Sequence, residues 1–143
     1  DKAVVLMTPT RKKNKALINK VSKFWKSLKC QVKSISPQLH DLVLSETSHL
    51  PHLVSFALVN IILNTKSIKN IKDYTGGGFR DFARLADSDG RMWNDICRTN
   101  EKNIISSINL LIKELGSIKK IIKNNDNSLH QYLNGIKTKL DKK

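Results

Sequence analysis

Residues 50–64, LPHLVSFALVNIILN, constrain this chain more than any other stretch. Wound into a helix they are apolar almost all round, with no polar stripe to turn towards water. Such a helix must be covered on several sides. A chain of 143 residues has few other elements to do the covering. The sequence therefore predicts that a second copy of the chain supplies part of the core, as in homodimeric helical bundles. The run 53–63, interrupted by Ser55 and Asn60, is too short to cross a membrane, so no membrane partner is expected.

The flanks give this helix its setting. Ser36 and Pro37 pair an N-cap with a first-turn proline, so a helix starts there and runs through the whole apolar stretch. Pro51 removes a backbone donor and should bend it near His49 and His52. A further helix is expected from about Ser88–Asp89. Ile104, Ile108, Leu111, Leu115, Ile118 and Ile122 step by three and four, a heptad-like seam. Leu129, Leu133, Ile136 and Leu140 repeat that rhythm in a last helix after the turn NNDN.

The first 35 residues differ in character. AVVLM (3–7) is continuous, apolar and β-branched, as in a strand buried on both faces of a parallel sheet. TPT breaks it. Residues 12–29 carry Leu17, Val21, Phe24, Trp25 and Leu28 at helical spacing, and CQVKSIS (30–36) reads as a second strand. One strand–helix–strand unit cannot bury such a strand alone. The expectation is a mainly α chain, a helical bundle preceded by the remnant of an α/β domain whose earlier portion is missing.

The net charge of +14 and a pI near 10.0 raise nucleic acid as a partner. Lysine, however, is scattered through every segment, and aromatic residues interleaved with it are sparse, so no nucleic-acid partner is the main expectation. Four of the five arginines, Arg80, Arg84, Arg91 and Arg98, fall in one window. Arginine's planar fork suits bidentate recognition of carboxylate or phosphate. Cys30 and Cys97 form no CxxC pair, which with no signal peptide predicts a reducing, cytoplasmic setting.

Two constellations could carry chemistry. In SETSHLPH (45–52), Ser48 and His52 are four apart and would share a helical face. The spacing is not that of a zinc site, and no metal is expected. No elbow motif or third group makes a Ser–His nucleophile pair. Hydroxyl and imidazole groups that cap backbone freed by Pro51 are the plain structural alternative. In TGGGFRDFARLADSDGRMW (75–93), three glycines allow close backbone approach, but the pattern is neither a dinucleotide fingerprint nor a P-loop. Arg80 and Arg84 would point the same way on a helix, with Asp81 placed to steer one guanidinium. Together the two segments suit a small dianion: arginine grips a carboxylate, and histidine and serine hydrogen-bond the rest.

HDLVLSETSHLPHLVSFALVN (40–60) with GGGFRDFARLADSDGRMWNDI (76–96) closely resembles the C-terminal half of the prephenate/arogenate dehydrogenase family. The likeness covers essentially the whole chain, MTPT and the strand–helix–strand included. It implies that residues 1–35 end an incomplete Rossmann-type nucleotide-binding domain and that 36–143 form an all-helical substrate-binding and dimerisation domain. It implies an oxidative decarboxylation of prephenate or arogenate with NAD or NADP, in tyrosine biosynthesis, by a homodimer. Carried over by residue, Arg84 would bind the ring carboxylate, and His52 and Ser48 would contact the pyruvyl side chain or ring hydroxyl. His49, Arg80 and Asp81 would be supporting polar residues, and Trp93 would pack near the pocket. No GxGxxG occurs, nor the HP motif that supplies the family's catalytic histidine, so this chain alone is expected to bind no cofactor and to be inactive. The competing readings are a small basic helical domain that binds nucleic acid and a regulatory module that binds tyrosine.

Overall fold

A computed structural model describes residues 3–10, 14–124 and 127–142. The chain opens with strand β1 (Val4–Met7), helix α1 (Lys15–Ser27) and strand β2 (Gln31–Ser34). β1 and β2 pair in parallel, Val5 opposite Val32 and Met7 opposite Ser34, as the strand–helix–strand pattern predicts. Asn14 starts α1 by accepting the Leu17 amide at 3.0 Å. The unit does not cover itself: Leu17, Val21 and Phe24 on α1, Leu28 at its C-cap and Val4 on β1 are exposed. Two parallel strands and one helix leave sheet edge and helix face open, which is why such units normally stand inside larger sheets.

Helix α2 (Pro37–Leu44) begins where the cap residues place it, with Ser36 Oγ accepting the Leu39 amide at 3.1 Å. The helical course then continues to residue 63, but not as one α-helix. Residues Ser45–His49 form a π-turn, closed by the Leu50 amide donating to the Ser45 carbonyl five residues back. Helix α3 (Leu50–Leu63) follows, with Pro51 in its first turn. The wide turn lies directly before Pro51, whose ring crowds the carbonyl four residues earlier in a regular α-helix. The irregularity expected at Pro51 thus lies on its N-terminal side, as a widened turn.

Residues 37–63 taken together, 27 residues, reach the length and apolarity of a membrane span, their most apolar 18-residue window having a mean hydropathy of 1.2; the run 53–63 alone is much shorter. The core helix of a bundle meets the same criterion. Ser45 and Ser55, both at 0% exposure, show that neighbouring elements of this chain already cover one side of it. Only 17% of the most apolar window is buried, however, so much of this helix lacks cover within the chain.

A single 3₁₀ turn (Ile71–Tyr74) leads to α4 (Gly77–Ala86), which packs along α3. The sequence places the next helical segment near Ser88–Asp89, while letting Arg80 and Arg84 share a helical face. The structure starts a helix earlier: Gly76 is the N-cap and Gly77 and Gly78 fill the first turn. The glycines also lack the use expected of them. None has positive φ, and a Cβ would meet nothing within 4 Å at Gly76 or Gly78. Helix α5 (Gly90–Thr99) does start at the expected place, with Asp89 accepting the Arg91 and Met92 amides. Helix α6 (Glu101–Asn124) and helix α7 (Ser128–Asp141) complete the chain, and the NNDN turn falls partly outside the described residues.

The chain forms two compact units, residues 1–104 and 105–143. Within the second, the Tyr132 hydroxyl donates to the Glu114 carboxylate, tying α7 to α6. Its seam residues Leu115, Ile122, Leu133 and Leu140 are all more than half exposed. Among the described apolar residues only Trp93 and Ile104 are buried. The periodic apolar faces form as predicted, and the chain does not bury them.

Candidate functional site

The first constellation gathers around Trp93, which α5 directs towards the π-turn. His52 stacks on the indole with ring centroids 4.4 Å apart and planes at 28°. His49 meets the indole edge-on at 6.0 Å, and Phe56 does so at 6.4 Å. Trp93 retains 6% of its surface, and its indole N–H finds no acceptor among the described residues. The His52 ring is fixed from a second side, since its Nδ1 lies 2.9 Å from the Ser48 carbonyl oxygen. A carbonyl only accepts, so Nδ1 carries the proton and donates. This leaves Nε2 as the free nitrogen of His52.

Ser48 therefore meets His52 through its backbone. The wide turn at 45–49 changes the angular step between residues, so simple i, i+4 alignment does not describe the pair. The hydroxyls around Pro51 bond the helix backbone: Thr47 Oγ1 to Val43, 2.8 Å, and Ser55 Oγ to Pro51, 2.8 Å. None of these bonds reaches the Thr47 carbonyl, the group that Pro51 would leave without its donor in a regular α-helix.

His49 sits in a different network. Asn100, 8% exposed at the junction of α5 and α6, donates its Nδ2 to the Asp41 carbonyl at 2.7 Å and to His49 Nδ1 at 3.3 Å. Its Oδ1 accepts from Asn103 at 2.8 Å. Burial first, and then the neighbouring His40, hold the His49 imidazole below its ordinary pKa; Asp41 opposes them and His52 adds a little. His40 itself faces Asp41 at 3.0 Å. No group of three or more His, Cys, Asp or Glu among the described residues is placed to hold a metal ion.

The second constellation forms a separate concavity of about 490 Å³ between α3, α4 and the 3₁₀ turn. Val59, Leu63, Phe79 and Ala83 supply an apolar floor, while Lys72, Arg80 and Arg84 stand around it with Asp87. Arg80 and Arg84 do face the same way. Among the described residues no hydrogen bond or ion pair joins Asp81 to either arginine, so both guanidinium groups stay open to a ligand. Neither Lys72 nor Asn100 stands out in the sequence. Lys72 resembles the other dispersed lysines, and Asn100 becomes visible only through contacts 51 and 59 residues away.

The arginine concavity is lined by none of Ser48, His49, His52 or Trp93. His52 and Val59 are seven residues apart on α3, about 10 Å along its axis. The two constellations thus occupy successive stretches of one helix.

A parallel strand pair followed by a helical part that leaves many apolar side chains exposed defines the class: a mainly α chain behind a short strand–helix–strand unit. The family model described as "Prephenate dehydrogenase, dimerization domain" matches residues 36–135. The chain belongs to the prephenate dehydrogenase family. It is 30% identical to the prephenate dehydrogenase of Bacillus subtilis (strain 168) over 127 residues, which are 88% of this chain and 34% of that protein. It is 30% identical over 124 residues to the cyclohexadienyl dehydrogenase of Zymomonas mobilis, covering 85% of this chain and 42% of the relative. The solved prephenate dehydrogenase from A. aeolicus in complex with hydroxyphenyl propionate and NAD+ superposes with a TM-score of 0.86 at 38% identity. That match covers 97% of this chain and 49% of that one. Synechocystis arogenate dehydrogenase, at 22% identity and a TM-score of 0.83, shares the fold. The chain thus spans between a third and a half of the length of these relatives.

Proposed function

We propose that this chain is the substrate-binding and dimerising part, residues 36–143, of an NAD- or NADP-dependent dehydrogenase that oxidatively decarboxylates prephenate or arogenate. Residues 1–35 are then the end of its nucleotide-binding domain. The observation that carries the reading is the concavity in which Arg80 and Arg84 face an apolar floor. A cyclohexadiene ring with carboxylates needs that combination: apolar contact for the ring and charge-assisted, forked donors for the anion.

In this reading Arg84 holds the ring carboxylate. His52 and Ser48, one stretch back along α3, meet the far end of the substrate. Arginine's long side chain makes up much of the distance between the two constellations. Arg80, Asp81, His49 and Trp93 support them. The ring carboxylate leaves as carbon dioxide while hydride leaves the carbon bearing the hydroxyl, and the ring becomes aromatic. Too tight a hold on the departing carboxylate would favour the ground state, so Arg84 acts chiefly by orienting the substrate. The nicotinamide, when bound, accepts the hydride. These 143 residues contain no glycine-rich strand–turn–helix to cradle its pyrophosphate, so they do not hold it by themselves. NAD is the cofactor in the A. aeolicus complex, which favours it here.

The 143-residue chain mixed with NAD⁺ and prephenate should give no rise in nicotinamide absorbance. The same residues in a protein that also carries a dinucleotide-binding domain should give one, with release of carbon dioxide. Turnover by the chain alone would overturn this division of labour. Failure of the two-domain protein with both prephenate and arogenate, and with both cofactors, would overturn the function.

A further inference from the structure

The orientation of the Asn100 amide follows from its surroundings. The atom 2.7 Å from the Asp41 carbonyl oxygen must be a donor, so it is Nδ2. Its second proton points to His49 Nδ1 at 3.3 Å, so that ring nitrogen must accept. The Asn103 amide closes the network by donating to Asn100 Oδ1 at 2.8 Å. Every part of the Asn100 side chain is thus engaged, and the residue keeps only 8% of its surface. Three residues after His49, at the start of α3, the opposite arrangement holds, with His52 Nδ1 donating to the Ser48 carbonyl.

We infer that Asn100 is a positioning residue that holds neutral His49 in the Nε2–H tautomer, while the Ser48 carbonyl holds His52 in the Nδ1–H tautomer. The two imidazoles flanking Trp93 thereby differ in what their free nitrogens offer: His49 presents a donor and His52, when neutral, an acceptor. The low pKa of His49 agrees with a ring that keeps its lone pair for Asn100. An acceptor at His52 Nε2 suits a ligand hydroxyl or ammonium. A donor at His49 Nε2 suits a carbonyl or carboxylate. Both assignments follow from backbone carbonyls, whose role as acceptors does not depend on pH. The consequence for substrate rests on the proposed function; the tautomers do not.

Nitrogen-15 NMR of the imidazole rings of this chain separates the two, because a protonated and an unprotonated ring nitrogen have distinct shifts. His49→Gln and His52→Gln assign the signals. His49 should be protonated on Nε2 and His52 on Nδ1 near neutral pH. An Nδ1–H form or an even mixture at His49 would overturn the inference, and this measurement needs no variant at position 100. In Asn100→Asp the new carboxylate accepts from His49, which should move to the Nδ1–H form or the imidazolium while His52 stays unchanged. An unshifted His49 in folded Asn100→Asp would equally overturn it. In the two-domain protein, that variant should raise KM for prephenate about tenfold, roughly one hydrogen bond to the ligand, with a smaller change in kcat. Unchanged KM with a switched tautomer would leave the lock intact and count against the proposed substrate site.

Discussion

Replacing Arg84 by lysine in the two-domain protein is expected to weaken substrate binding by about 10- to 100-fold, although the charge is kept. The guanidinium can form two parallel bonds to one carboxylate, whereas the ammonium is a point charge at the end of a shorter reach. Arg84 is exposed on α4, unpaired with any carboxylate among the described residues, at the rim of the apolar concavity. Its truncation or replacement should therefore leave the fold alone and act on the ligand. Isothermal titration with prephenate, in the absence of cofactor, measures the effect directly. Unchanged affinity in the lysine variant would remove Arg84 from the substrate site. Arg80→Lys, on the same face one turn earlier, should have a smaller effect in the same direction.

Trp93→Ala is expected to be the most damaging single change to stability, costing about 3–5 kcal/mol in chemical denaturation. Trp93 is one of two buried apolar side chains among the described residues. It is also the surface on which His52, His49 and Phe56 pack. Few other contacts can take up the lost volume, and the Asn100 network would lose the wall beside it. Trp93→Phe keeps part of the ring stack and removes the unpartnered indole N–H, so its cost should be clearly smaller. A loss below about 1 kcal/mol for the alanine variant would mean that the indole is not the centre of this core.

What the sequence revealed and what it hid divide along physical lines. Local signals were legible. Ser36 with Pro37, Asp89 before α5 and the β-branched AVVLM each act within a few residues, and each produces the element expected of it. Heptad spacing located the long helix 101–124 by the same logic. The start of α4 at Gly76–Gly78 was not legible, because a run of glycines carries no positive signal for where a helix begins. The π-turn at 45–49 was hidden too, since one widened turn leaves no periodic trace. The arginine pair could be read from its spacing, but its separation from His52 depends on how α4 lies along α3. Asn100 is the clearest case of a residue that means nothing until α2, the π-turn and the start of α6 come together around it.

The apolar surplus ties these findings to function. Residues Ile61 and Leu63 on α3, and Ile112, Leu115 and Ile122 on α6, are 45–66% exposed in the isolated chain. Side chains of this kind at helical spacing are stable in water only when covered. The family match to a dimerisation domain over residues 36–135 points to a second copy as the cover. Sedimentation equilibrium of the chain tests this most directly. A species of twice the 16.2 kDa chain mass is expected to persist on dilution through the micromolar range. A folded species of single-chain mass throughout that range would contradict it.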